Sequence, residues 1–399
     1  MAVGAGRERR LFLTGLAALV FSTIAAVLAG SYLSSVSDLL ILIPGLMVLV
    51  PPTINMRGSI SGVLASRISS SMHLGEFTGG FEGDGVLLQN LHASLLLTIA
   101  TSVALGLIAP AVSALIGIPV IAAADLVLIS VLAGLVSGLI VMGFTVLIAV
   151  LSYRRSVDMD MIAAPAVTTL GDLVTIPALA LAAPLVLSVP EGGRGLLLIA
   201  VLLGVALLSL HSWRRGERVH EVVGEVLPLL IPLLILGTFA GVTYSAGLER
   251  LVTTGALLIL IPPFAGICGS IGGILCSRIG TGMHLGVIDP EPVPSRAVGI
   301  QFAWTYLYTL ILLPLMATCA HIAALLMGVS SPGLLTMVTI ATLAGAIVMT
   351  LVNGIAYLTA MISFRYGYDP DNFGIPVITS SIDLLGAVAL MSVISLFLI

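Results

Sequence analysis

The sequence predicts an all-α polytopic membrane protein with about eleven transmembrane helices, arranged as two parallel five-helix repeats plus one linker helix. Three observations predict it. First, hydrophobic residues make up 59% of the 399 and charged residues only 9%, more apolar surface than a soluble domain can hide. Second, the chain matches itself at a single offset of 211 positions. Pro51-Pro52 falls on Pro262-Pro263, Gly58-Ser59-Ile60 on Gly269-Ser270-Ile271, and Ser66-Arg67-Ile68 on Ser277-Arg278-Ile279. Met72-His73-Leu74-Gly75 falls on Met283-His284-Leu285-Gly286, and Ser152, Arg154, Asp158, Asp160, Pro165 and Thr168 fall on Ser363, Arg365, Asp369, Asp371, Pro376 and Thr379. Third, the arginines cluster in alternate loops, as the positive-inside rule requires.

The apolar runs place helices at 11–36, 39–72, 86–117, 122–152 and 160–188, then 195–212, then 223–247, 251–283, 297–327, 333–364 and 372–398. Arg7, Arg9 and Arg10 precede the first run as in a secretory signal. The run is long, however, and its partner at 223–247 is a span, so it reads as the first helix. Pro51-Pro52 and Pro262-Pro263 remove backbone donors and predict breaks in the second and eighth helices. Such breaks are tolerated only where protein or a wet cavity satisfies the freed backbone. The resulting domains are 1–190, 191–221 and 222–399.

With the N-terminus inside, the inner loops hold Arg7, Arg9, Arg10, Arg67, Arg154, Arg155, Arg214, Arg215, Arg218, Arg278, Arg296 and Arg365. The outer loops hold Arg194 and Arg250. Five spans leave the first repeat on the outer side, so the unmatched span at 195–212 must return the chain. The repeats are then parallel, related by a pseudo-two-fold along the membrane normal. The chain is expected in the cell membrane, N-terminus cytoplasmic and C-terminus outside. Its partners are membrane lipid and its cargo, and nothing in it suits nucleic acid.

Each repeat carries one acid in an apolar run, Asp172 and Asp383. Asp172 lies about 18 Å into its helix at 1.5 Å per residue, near mid-membrane. Thr168 and Thr379 stand four residues earlier, one turn below on the same face; Thr169 and Ser380 follow them. An intramembrane acid is a functional candidate by default. Two carboxylates at one axis repel unless a cation sits between them. A hard divalent ion fits, and Mg2+ above all, because it keeps several waters while held by one or two carboxylates. The competing reading has each acid protonated and bonded to a neighbouring helix.

The Pro-Pro to Gly-Ser-Ile segments supply the second element, with Gly58 and Ser59 in one repeat and Gly269 and Ser270 in the other. They either line the pathway or pack helices closely through small residues. Arg57 has no like partner in the second repeat, where Cys268 stands; a side chain that long can snorkel or pair with an acid, and the sequence leaves its role open. His73 with Glu76, and His284 with Asp289, form either an acidic inner vestibule that concentrates cations or a solvated capping loop. Cys268, Cys276 and Cys319 show no metal-ligand spacing and read as small packing residues.

Pro51-Pro52, then Arg57-Gly58-Ser59-Ile60 with Leu64-Ala65-Ser66-Arg67 closing the helix, resembles the MgtE-type magnesium transport domain. The closest likeness is to its solute-carrier branch, in which two five-helix halves are fused. The resemblance covers roughly 11–188 and 223–399. It implies a central ion pathway between the repeats, lined by the fifth helix of each, with Asp172 and Asp383 as the main ion-binding residues. Ser59 and Ser270 depart from the family's usual Asn after the first Gly of this helix. No counterpart of the soluble regulatory region of bacterial MgtE channels is expected. The expected function is therefore transport of a divalent cation, most simply Mg2+, by a monomer, since both halves lie in one chain.

Two other classes compete. An intramembrane aspartyl protease would also embed two acids, but Thr169 stands where that pattern needs Gly. Moreover, Pro177-Ala178-Leu179 shares a helix with Asp172, and the second repeat has neither element. A carrier of small organic solutes would call for more aromatic and amide side chains than the 5% aromatic content offers. The preferred reading is a transporter and not an enzyme.

Overall fold

The computed structural model describes residues 19–20, 22–73, 85–155, 163–366 and 374–398, helical almost throughout and with no strand among them. Helix α1 covers residues 22–35. It is followed by α2 (Ser37–Leu42), α3 (Leu46–His73), α4 (Val86–Ile116), α5 (Ala123–Arg155), α6 (Ala163–Ser188) and α7 (Glu191–Trp213). The remainder are α8 (Glu217–Ala246), α9 (Leu248–Thr253), α10 (Ala256–His284), α11 (Arg296–Met327), α12 (Leu334–Tyr366) and α13 (Ile375–Phe397). Among the described residues, nine helices are long and apolar enough to cross a membrane, so the chain is a polytopic helical membrane protein. The two expected spans outside those nine are the first, whose start lies outside the described residues, and α3.

The expected breaks at the proline pairs are not found. Both α3 and α10 run through Pro51-Pro52 and Pro262-Pro263. The chain breaks earlier, at 43–45, where Gly45 has φ +93°, and at 254–255. Each proline pair sits within two turns of its helix start, so the carbonyls it frees belong to the first turn. Pro52 frees the carbonyl of Val48, and a Cβ on Gly241 would overlap that oxygen. Pro263 frees the carbonyl of Ile259, and Gly30 approaches it in the same way. Glycines on α8 and α1 pack against the disrupted turns.

The chain divides into two compact units, one of Val36–Leu248 and one of Met1–Ser35 with Glu249–Ile399. Each unit therefore combines the later helices of one repeat with the first helix of the other. In Val36–Leu248, α3 packs against α4, α5, α6 and α8. Its interior includes Leu64, Ile68, Leu87 and Ala149, and Ile99, Val127 and Val131 with Val205 of the linker helix α7. The rest of α7 turns leucines outward, with Leu196, Leu203 and Leu207 largely exposed, as a lipid-facing helix does. Arg194 ties its start to the buried Asp125 at 3.0 Å and to the carbonyls of Leu187 and Val189 at the end of α6. In the other unit, α10 packs against α11, α12 and α13. The repeats share even their caps: α4 and α11 end at Gly117 and Gly328, both left-handed, where only glycine carries no steric penalty.

Candidate ion site

In both units the second long helix of the repeat packs on the helix that carries the acid. Within Val36–Leu248, a Cβ on Gly171 of α6 would stand 3.3 Å from Cγ of Arg57 on α3. Asp172 is the next residue. Its side chain is half-buried, and among the described residues it has no hydrogen-bond or ion-pair partner. Thr169, one turn earlier, keeps a buried hydroxyl oxygen with no hydrogen bond. Thr175, one turn later, spends its hydroxyl on the Gly171 carbonyl at 2.6 Å. Gly58 and Ser59 are half-buried on α3. Thr168 belongs to α6, but its side chain lies outside the described residues.

Within the second unit, a Cβ on Gly269 of α10 would stand 3.5 Å from the Thr379 methyl on α13. The candidates Gly269 and Thr379 are thus brought together, one turn from Asp383. Thr379 donates to the Pro376 carbonyl at 3.1 Å and Ser270 to the Gly266 carbonyl at 2.8 Å. Ser380 is fully buried and Asp383 half-buried. Further along the same contact, a Cβ on Gly386 would stand 3.4 Å from the Phe264 ring.

Arg57 meets neither expectation. Its side chain is only 3% exposed, so it does not snorkel, and among the described residues it forms no ion pair. It donates instead to the Gly134 carbonyl at 2.7 Å and to the Thr98 hydroxyl at 3.2 Å. The sequence reading missed its surroundings, although a signal was present. Gly138 and Gly171, which make room for Arg57, align with Met349 and Ile382, just as Arg57 aligns with Cys268.

The vestibule candidates are only partly visible. Glu76 and the side chain of His73 lie outside the described residues. His284 is exposed, stacked edge-on with Phe364 at 5.0 Å, and Asp289 is exposed on the loop that follows. That loop is strapped down by Tyr357, bonded to the Glu291 carbonyl, and by Arg365, bonded to the Pro290 carbonyl. None of the three cysteines is in a disulfide, and Cys268 and Cys276 are buried, in keeping with packing roles.

A family model described as MgtE, divalent cation transporter, matches residues 50–182 and 261–393. Both edges repeat at the same offset of 211. The chain belongs to the MgtE family of divalent cation transporters. It is 25% identical over 366 residues to solute carrier family 41 member 3 of Mus musculus, covering 86% of this chain and 73% of that protein. It is 26% identical over 371 residues to solute carrier family 41 member 2 of Homo sapiens, covering 86% of this chain and 62% of that one. No solved structure matches the chain. The candidate site residues on α3, α6, α10 and α13, from Arg57 to Ser59, Thr168 to Asp172, Gly269, Ser270 and Thr379 to Asp383, fall inside the two MgtE segments. The resemblance to the MgtE domain and its solute-carrier branch is borne out.

Proposed function

We propose that this chain carries Mg2+ across the membrane along a pathway lined by α3 and α6 of the first repeat and α10 and α13 of the second. Asp172 and Asp383 are its ion ligands. The observation that carries this reading is the pair itself: one acid at the same position of each repeat, inside both MgtE segments. The half-buried carboxylate of Asp172, without a hydrogen-bond or ion-pair partner among the described residues, supports it further. A charged group in the membrane interior is costly unless something uses it, and a passing cation is such a use. Two carboxylates and a few hydroxyls suit an ion that keeps several of its waters. Thr168 and Thr379 bind those waters, while Thr169, Ser380, Gly58, Ser59, Gly269 and Ser270 line the path. His73, Glu76, His284 and Asp289 stand at its inner mouth. The arginine distribution puts the N-terminus in the cytoplasm and the C-terminus outside, and fusion of the two repeats lets one chain work as a monomer.

The test is Mg2+ uptake into proteoliposomes. Asp172→Asn and Asp383→Asn should each lower uptake by about two orders of magnitude, and the double variant should be inactive. Normal uptake by both single variants, each shown to be folded, would make the acids structural and sink the reading.

A further inference from the structure

The first repeat buries a permanent charge where the second buries none. Among the described residues the Arg57 guanidinium meets only neutral acceptors, Gly134 O and Thr98 Oγ1, and its Nε is buried without a hydrogen bond. The pocket around it is cut to fit. A Cβ on Gly138 would stand 2.6 Å from Nη1, one on Gly171 3.3 Å from Cγ, and one on Gly134 3.8 Å from Nη2. At the equivalent positions of the second repeat stand Cys268, Met349 and Ile382, all buried. The same space can thus be filled by apolar side chains, without the desolvation cost of an arginine. Filling volume does not explain Arg57. What distinguishes its position is that its stem rests on Gly171, immediately before Asp172.

We propose that Arg57 sets the ion affinity of transport: a fixed positive charge that weakens the grip of the first repeat's carboxylate on a divalent cation, so that the ion leaves again. This rests on reading Asp172 as an ion ligand. A doubly charged ion held by carboxylates at low dielectric binds too well to move on, and conduction needs a site that releases as readily as it captures. The second repeat, with Cys268 in place of Arg57, has no such brake.

The experiment is Mg2+ uptake by the full chain in proteoliposomes, with KM and maximal rate measured separately. Arg57→Gln keeps much of the size and hydrogen bonding but removes the charge. Arg57→Lys keeps the charge. Arg57→Cys with Gly138→Met and Gly171→Ile installs the second repeat's own packing. The Gln and triple variants should lower KM about ten-fold and the maximal rate by a similar factor, while the Lys variant stays within about two-fold of the parent in KM. A wild-type KM in the Gln variant, or equal shifts in the Gln and Lys variants, overturns the proposal. If the triple variant does not fold, the Gln and Lys pair decides alone. Asp172→Asn, run in parallel, separates the two readings. If it transports normally, Asp172 is no ligand and both readings fall. If it is damaged while Arg57→Gln behaves as the parent, only the role of Arg57 falls.

Discussion

Gly241 lies against the carbonyl of Val48, which Pro52 leaves without a donor inside its own helix. Gly237, one turn earlier on α8, sits on Pro52 itself, a Cβ there standing 3.0 Å from the proline Cα. The pair is a small-xxx-small contact of the kind that lets transmembrane helices approach closely. Gly30 repeats it against Ile259, the carbonyl freed by Pro263. The proline pairs and these glycines are therefore one device, used once in each unit. They dock the first helix of one repeat on the second long helix of the other.

This device predicts an inverted glycine effect. In an ordinary helix interior, alanine in place of glycine gains about 1 kcal/mol. At Gly241 and Gly30 the added Cβ meets backbone, which cannot rotate away, and over-packing of that kind costs about 1–3 kcal/mol. The cost wins. Gly241→Ala and Gly30→Ala should unfold at lower temperature in detergent, whereas Gly204→Ala, with open space around it, should be neutral or stabilised. Equal melting of all three would show that the close approach does not exist.

The Asp125–Arg194 and Arg67–Glu225 ion pairs should behave differently. Asp125 and Arg194 have side chains 8% and 21% exposed, so Arg194→Ala strands a buried carboxylate and frees two carbonyls, a loss of about 3 kcal/mol. Arg67 and Glu225 are 28% and 59% exposed, and Arg67→Ala should cost less than about 1 kcal/mol. Thermal unfolding of the two variants side by side checks the order, and a reversed order would contradict it.

The fold class was legible because composition and the 211-position repeat act over the whole chain, beyond the reach of any local exception. The positions of the helix breaks were not. A proline's effect depends on what faces the carbonyl it frees, and the facing glycines at 30 and 241 lie on the other repeat's helix, far away in sequence. Asp172 and Asp383 stood out as charges in apolar runs. The setting of Arg57 did not, because three of the helices around it lie between about 40 and 115 positions further along the chain. Only its mismatch with Cys268, read together with Gly138 and Gly171, points to it from sequence alone.

A second complementary exchange offers a packing test. Phe264, fully buried, packs on Gly386, and the matching positions of the first repeat hold Thr53 and Thr175. Phe264→Thr alone should leave a cavity costing about 3 kcal/mol. Gly386→Thr alone should drive a side chain into the ring and also destabilise. Together they install the first repeat's pair, and the double variant should recover more than 1 kcal/mol relative to the sum of the single losses. A double-mutant cycle by thermal unfolding measures that coupling, and strict additivity would mean the two residues do not share the contact.

The hydroxyls one turn from the acids should matter less than the acids themselves. Thr379 already donates its proton to Pro376, so toward an ion it offers only oxygen lone pairs, to one water of the hydration shell. A single hydrogen bond of that sort contributes about 1 kcal/mol. Thr379→Ala should therefore reduce Mg2+ uptake about five-fold. Asp383→Asn removes a full charge from a poorly solvated site and should reduce it about a hundred-fold. Thr379→Ser restores the oxygen without the methyl that rests against Gly269, so it should regain most of the lost uptake at some cost in stability. Uptake rates and melting temperatures of the three variants together decide the matter. If the serine variant is as impaired as the alanine one, the methyl contact with Gly269 is what Thr379 provides, and its hydroxyl takes no part in transport.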